Sequence, residues 1–282
     1  MANDKVILVT GATGKQGGAT LSHLARRGGF KLRGMTRKPG GDAAIALGKL
    51  GVEVVEGDLD DQASLERAVT GAWGVFGVQN TWEAGIEKEE EQGKRLARVA
   101  REKGVQHYVY ASVGSAHKQT GIPHFENKFR VEQVVKELKF SSYAIVRPVF
   151  FMENLLSPWF LNGDTLTTSL KPTTRLQMIA SDDVGKFEAD AFIRADKWKS
   201  VELDIAGDAL TMPEAAAALS ESLGRNITFQ QIPVEAVRQN SADFAAMLEW
   251  FDAVGYSADI ASLERDWGIG PLKFKEWLRT QK

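Results

Sequence analysis

Three glycines spaced three apart, Gly11, Gly14 and Gly17, close the apolar run Val6-Ile7-Leu8-Val9-Thr10 and open a helical pattern. A buried strand, a tight turn and a helix start, in that order, make a phosphate cradle. The first N–H groups of the helix and the positive end of its dipole face the anion. The three glycines have separate tasks: Gly11 lets the chain reverse sharply, Gly14 lets the backbone approach a pyrophosphate, and Gly17 lets the helix pack close to the strand. The spacing is G-x-x-G-x-x-G rather than G-x-G-x-x-G. It also lacks the G-x-x-x-x-G-K-[ST] form, which excludes an ATP-binding P-loop. The expected ligand is a dinucleotide.

The next apolar run ends in Thr36-Arg37-Lys38, about twenty residues past the turn, where a protein that reads NAD needs a carboxylate for the ribose 2′-hydroxyl. No acid follows until Asp42. Arg37 offers a planar fork of donors suited to a 2′-phosphate, and Lys15 and Lys38 add positive charge. The expected cofactor is therefore NADP(H).

Positioning these groups takes a sheet. Apolar, non-alternating runs at 6–10, 31–36, 52–56, 74–78, 107–111 and 143–146 read as strands buried on both faces, and helical patterns separate them. Strands alternating with helices six times predict an α/β fold, a Rossmann-type doubly wound parallel sheet of order 3-2-1-4-5-6. Asp60-Asp61 and Asp182-Asp183 read as helix caps, and Thr211-Met212-Pro213-Glu214 as a helix start. The run Glu87 to Glu91 reads as a solvated helix face whose charge favours the helix dipole. After Phe150 the pattern loosens: 150–161 reads as helical, 176–180 and 201–205 as strands, and 226–282 gathers most of the remaining aromatics. The predicted domains are a cofactor-binding core, 1–155, to which 176–206 returns, and a smaller C-terminal α+β lobe, 156–282, laid over the cofactor cleft.

The 282 residues are 43% hydrophobic and 26% charged, a globular balance. The net charge of -2 gives no support to nucleic-acid binding, which usually shows as a basic domain or stripe, so direct nucleic-acid binding is not expected. Cysteine is absent, which excludes disulfides and thiolate metal sites and confines any redox response to a cofactor. His23, His107 and His117 show no metal spacing. Residues 1–5 lead straight into the first strand, with no signal peptide and no long apolar span. The chain is expected to be cytoplasmic and not bound to membrane.

The turn Gly11 to Gly18, the Arg37 ending, Glu56-Gly57-Asp58-Leu59-Asp60-Asp61, Asn80-Thr81-Trp82-Glu83, His124-Phe125-Glu126-Asn127-Lys128 and Arg147 to Leu156 together resemble the NmrA-like family of atypical short-chain dehydrogenases, its NADPH-sensing members above all. The likeness is strong through residue 156 and thinner beyond. It implies that Gly11, Thr13, Gly14, Lys15, Gln16 and Gly17 hold the pyrophosphate and adenosine phosphates. It places Asp58 and Leu59 by the adenine, and Gln79 and Asn80 by the adenosine side and ribose. Ala111 and Ser112 would back the nicotinamide ribose, Lys128 would hydrogen-bond it, and Pro148 and Phe150 would line the nicotinamide end.

An ordinary short-chain reductase uses Ser, Tyr and Lys, the tyrosine four residues before the lysine. Here that place is His124, and Lys128 is retained. Ser112 fits either a catalytic serine or a cofactor contact, while Tyr108 and Tyr110 read as packing. Two roles stay open. Lys128 or His124 donates a proton to a small-molecule substrate such as a quinone, imine or enone. Alternatively Lys128 only positions the cofactor, and His124 is a loop histidine. In the second case NADP(H) occupancy orders the loops 80–85 and 115–123 and recruits a regulatory protein partner or alters a homodimer.

Overall fold

In a computed structural model of the chain, residues 4–281 are described; the expected run of residues 1–3 into the first strand lies outside them. The first half alternates β1 (Val6–Val9), α1 (Lys15–Arg27), β2 (Lys31–Thr36), α2 (Asp42–Lys49), β3 (Glu53–Glu56), α3 (Gln62–Val69), β4 (Gly74–Gly77), α4 (Thr81–Ala84), α5 (Ile86–Glu102), β5 (His107–Ala111), α6 (Pro123–Glu137) and β6 (Ser142–Pro148). There follow β7 (Phe150–Phe151), β8 (Leu161–Asn162), β9 (Thr165–Thr168), β10 (Leu176–Ile179), α7 (Ser181–Ile193), β11 (Val201–Ile205), β12 (Asp208–Leu210) and α8 (Met212–Leu223). The chain closes with β13 (Thr228–Gln231), α9 (Val234–Arg238), α10 (Ala242–Ala253), α11 (Ile260–Trp267) and α12 (Phe274–Arg279).

Two compact units result. The first joins the described residues up to Ser112 with Asn127–Arg147 and Val184–Leu203. Its sheet runs β11-β6-β5-β4-β1-β2-β3, and β1 to β6 pair in parallel throughout. This is the expected 3-2-1-4-5-6 order with β11 added at the β6 edge. The parallel arrangement follows from the apolar runs. Leu8, Val75, Tyr108 and Tyr110 pack on one face with Leu65, Leu96, Val131 and Val135. Ile7 and Val9, which point the other way, are just as fully buried. Such strands need helices on both faces. Asp61 caps α3 through Ala63 N–H, as its position at the helix start requires.

The second unit takes Val113–Glu126, Pro148–Asp183 and the described residues from Asp204 on. It holds two three-stranded sheets, β12-β10-β7 and β13-β9-β8. Phe125, Phe150, Phe160, Met178, Leu219, Phe251 and Trp277 belong to its core. Here the expected helix over 150–161 does not form. Phe150 and Phe151 instead pair in parallel with Met178 and Ile179, and only Met152–Leu156 coils, as a tight 3-10 turn. The cross-strand partner lies far along the chain, so local periodicity does not reveal it. The chain leaves the large sheet after Pro148, and β7 pairs with β10 instead. Val184–Leu203, which carry most of α7 and the start of β11, group with the first unit. No helix among the described residues is long and apolar enough to cross a membrane.

Candidate functional site

The residues that could meet a dinucleotide in the first unit follow the carboxyl ends of adjacent parallel strands. Gly11 comes after β1, Arg37 after β2, Asp58 and Leu59 after β3, Gln79 and Asn80 after β4, and Ser112 directly after Ala111, the last residue of β5. An open parallel sheet binds its ligand at this edge. The turn after β1 is held from both sides. The Thr10 hydroxyl donates to the Phe76 carbonyl at 3.1 Å and accepts from Val78 N–H at 3.0 Å. Gly14 N–H bonds the Gly11 carbonyl at 2.9 Å. Gly11 takes φ of +56°, and a Cβ on Gly17 would lie 2.4 Å from the Gly11 carbonyl oxygen, so both positions demand glycine. The α1 N-terminus begins at Gly14 with no side-chain cap, which leaves its dipole end open to an anion. Thr13 and Lys15 are exposed around it.

Gln16 turns inward. Its Nε2 donates to Glu188 Oε1 at 3.0 Å, and Thr20 donates its hydroxyl to the other oxygen of the same carboxyl. Glu188 on α7 is fully buried. Burial lifts its carboxyl to about 8, a rise that the Thr20 and Gln16 hydrogen bonds only partly oppose. A protonatable carboxyl thus lies directly under the helix that carries the glycine turn.

Arg37 and Lys38 are exposed at the end of β2. The Arg37 guanidinium bonds the carboxylate of Glu83 on α4, and that hydrogen bond and charge hold it still more firmly protonated. Asp58 folds into a local turn, its Oδ1 accepting Asp60 N–H at 2.9 Å, while the Leu59 carbonyl accepts from Arg95 at 2.7 Å. Asn80 caps α4 by accepting Trp82 N–H at 3.2 Å. Gln79 is buried, yet neither its Nε2 nor its Oε1 has a partner. An orphaned buried amide is costly and marks a place where a ligand polar group would be welcome.

Lys128, on α6, meets Glu89 of α5, with Nζ 2.8 Å from Oε1. Glu89 is 1% exposed. Its Oε2 also accepts Asn127 Nδ2 at 2.8 Å and the Thr81 hydroxyl. Burial by itself would push this carboxyl up. The Lys128 charge, with hydrogen bonds from Lys128, Thr81 and Asn127, outweighs that and holds it below the ordinary glutamate value. The acidic run is therefore not uniformly a solvated face. Glu89 sits on the buried stripe Gln92, Gly93, Leu96, Ala97 and Ala100 of α5. Its helical spacing from those residues was the signal in the sequence, hidden by the acids around it. The Ser112 hydroxyl donates to Glu132, which takes Arg147 at 2.8 and 2.6 Å; Arg147 also reaches Glu202 at 2.6 Å. Tyr108 and Tyr110 are fully buried in the core.

Three expected site residues group with the second unit. His124 is not in a loop. It lies in the first turn of α6, is 7% exposed, pairs through Nδ1 with Asp243, and its backbone N–H donates to Asp243 Oδ1 at 3.0 Å. Phe150 is buried edge-to-face against Phe160 and Phe251, and Pro148 is buried at the end of β6. Among the described residues no group of three or more His, Asp and Glu side chains is placed to hold a metal ion.

An uncapped helix start behind a glycine turn, an arginine at the end of β2 and an orphaned amide at the end of β4 suit a dinucleotide with an anionic pyrophosphate. The sequence profile described as the NmrA-like family matches residues 3–280. A relative in Dictyostelium discoideum, an NmrA-like family domain-containing protein, is 26% identical over 273 residues, covering 89% of this chain and 88% of its own. Among solved structures, the Escherichia coli NADPH-dependent quinone oxidoreductase complexed with NADPH superimposes with a TM-score of 0.82 at 20% identity, covering 98% and 99% of the two chains. NmrA, a negative transcriptional regulator, solved in complex with NAD, superimposes with a TM-score of 0.81 at 22% identity, covering 98% and 95%.

Proposed function

The chain belongs to the NmrA-like family, and from that premise we propose that it binds NADP(H) in the cytoplasm and acts as a redox sensor. Its cofactor-bound and free forms present different surfaces to a regulatory protein or to a second copy. The observation that carries the cofactor is Arg37 at the end of β2, next to the glycine turn, with no carboxylate between Thr36 and Gly41. Its partner Glu83 is about half exposed, and exposed pairs are worth about 0–1 kcal/mol, so a 2′-phosphate can displace it. The NAD and NADPH complexes of the structural neighbours support a nicotinamide dinucleotide; Arg37 favours the phosphorylated one. The sensor role is supported by the place of the usual tyrosine, which holds a buried histidine tied to Asp243. With no cysteine in the chain, a redox response has to pass through the cofactor.

A second reading, an NADPH-dependent reductase of a quinone, imine or enone, is favoured by one observation. Both Lys128 and His124 are paired with a carboxylate, an arrangement used in general acid catalysis. Titration with NADPH and NADH separates the cofactors. Arg37→Ala is expected to cost NADPH about 1.5–3 kcal/mol, nearer the lower end because Glu83 is given up, and to leave NADH unchanged. Unaltered NADPH affinity in that variant refutes the 2′-phosphate assignment. NADPH oxidation is then followed with a panel of quinones and dyes. The sensor predicts no turnover and NADPH-dependent hydrogen-exchange protection of 80–85 and 115–123; turnover lost in Lys128→Ala establishes the reductase.

A further inference from the structure

We propose that Glu89 is a positioning residue, holding the Lys128 ammonium in the direction from which it reads the nicotinamide-side ribose, with α4 bracing the carboxylate from behind. The proposal rests on the reading of Lys128 as a ribose contact. Three elements converge on this one carboxylate: Thr81 from α4, Asn127 and Lys128 from α6, and α5, which carries it. A carboxylate at 1% exposure is costly to keep ionised unless every oxygen is compensated, and here one oxygen takes the ammonium while the other takes an amide and a hydroxyl. Lysine is long and rotamer-rich, and fixing it costs on the order of 2 kcal/mol of side-chain freedom. A buried counter-ion meets that cost before the ligand arrives, which is how preorganisation raises affinity. The Lys128 side chain is 13% exposed, with Nζ 6.0 Å from the Tyr110 ring centroid. The Glu89 carboxylate and the Tyr110 ring together limit where the ammonium points. An ammonium has three N–H donors, so the pair with Glu89 leaves donors for a ribose hydroxyl. The link through Thr81 also joins this end to Arg37, since Glu83, two residues on in α4, holds that guanidinium.

A purely structural ion pair and a positioning one differ in what they do to half of the ligand. The test compares NADPH with 2′,5′-ADP, which carries the 2′-phosphate and adenosine but no nicotinamide, on the full chain bearing Glu89→Gln. The positioning role predicts that NADPH affinity falls about tenfold while 2′,5′-ADP affinity stays within about twofold, the loss being of one hydrogen bond to a charged group. In a Lys128→Ala background Glu89→Gln adds little further loss. Equal losses for both ligands, or fully additive losses in the double variant, overturn the proposal. Thr81→Val removes one brace and leaves the charge pair in place. It serves where Glu89→Gln fails to fold, with a smaller NADPH-selective loss of about two- to threefold; a loss shared by both ligands counts against the proposal in the same way. Lys128→Ala by itself keeps the two readings apart. If it binds NADPH as well as wild type does, the ribose contact fails and the positioning role falls with it. If it binds weakly while Glu89→Gln binds normally, only the positioning role is wrong.

Discussion

Adjacent glycines at the start of α1 should respond to the same substitution in opposite directions. An ideal Cβ on Gly17 would lie 2.4 Å from the Gly11 carbonyl oxygen and 2.7 Å from the Gly11 carbonyl carbon and the Thr10 oxygen. All three are backbone atoms of the turn, so no side-chain rotation relieves the clash; either α1 or the turn must move. Overpacking of this kind costs about 1–3 kcal/mol or more. A Cβ on Gly18 meets only the Ala12 oxygen at 3.4 Å, an ordinary contact. There alanine gains helix propensity and loses unfolded-state freedom, about 0.5–1 kcal/mol in its favour. That gain is common to both positions, so the expected separation between Gly17→Ala and Gly18→Ala is the clash cost, roughly 1–3 kcal/mol. The assay is the thermal midpoint of the ligand-free protein, where a chain of this size moves about 2–4 °C per kcal/mol. Gly17→Ala falls below wild type and Gly18→Ala sits at or slightly above it. NADPH titration adds a second readout, since a displaced α1 start also weakens the phosphate cradle. A Gly17→Ala protein as stable as wild type, or two variants shifted alike, would refute the close-approach argument.

Three further outcomes follow from burial and capping. Glu188 has a folded value of about 8, above its unfolded value of about 4.3, so its contribution is complete below the unfolded value and is lost as pH rises through 8; Glu188→Gln should flatten that decline in a thermal-midpoint-against-pH series. His107 runs the other way. Burial pulls its imidazole down to about 4, partly offset by its hydrogen bonds to the Ala191 carbonyl and to Ser142, so its contribution is complete above the unfolded value of about 6.5 and is lost as pH falls toward 4. That loss is on the order of 3 kcal/mol, and His107→Phe, which removes the titrating group, should abolish this acid limb in urea titrations at pH 4 and pH 7. Thr211 accepts Glu214 N–H while Glu214 accepts Thr211 N–H at 2.8 Å, and Thr211→Ala should cost about 1 kcal/mol by urea denaturation.

What the sequence by itself determined are the features that local covalent geometry dictates. Gly11 and Gly17 announce a turn that only glycine can make, Asp61 and Thr211 announce caps that act within three residues, and the doubly apolar runs announce a parallel sheet of known order. The charge of the β2 ending was equally legible, because Arg37 needs only its place at a strand end. Tertiary structure alone decided the state of the ionisable groups. Glu89 carries three acidic near neighbours in sequence, Glu87, Glu90 and Glu91, yet it is the one drawn under Lys128, by an element 38 or more residues away. Gln16 and Glu188 stand 172 residues apart and form one hydrogen bond, and His124 meets Asp243 across 119. A side chain's partner and protonation depend on which distant elements exclude water from it, and that exclusion is a property of the packed chain rather than of any local run of residues.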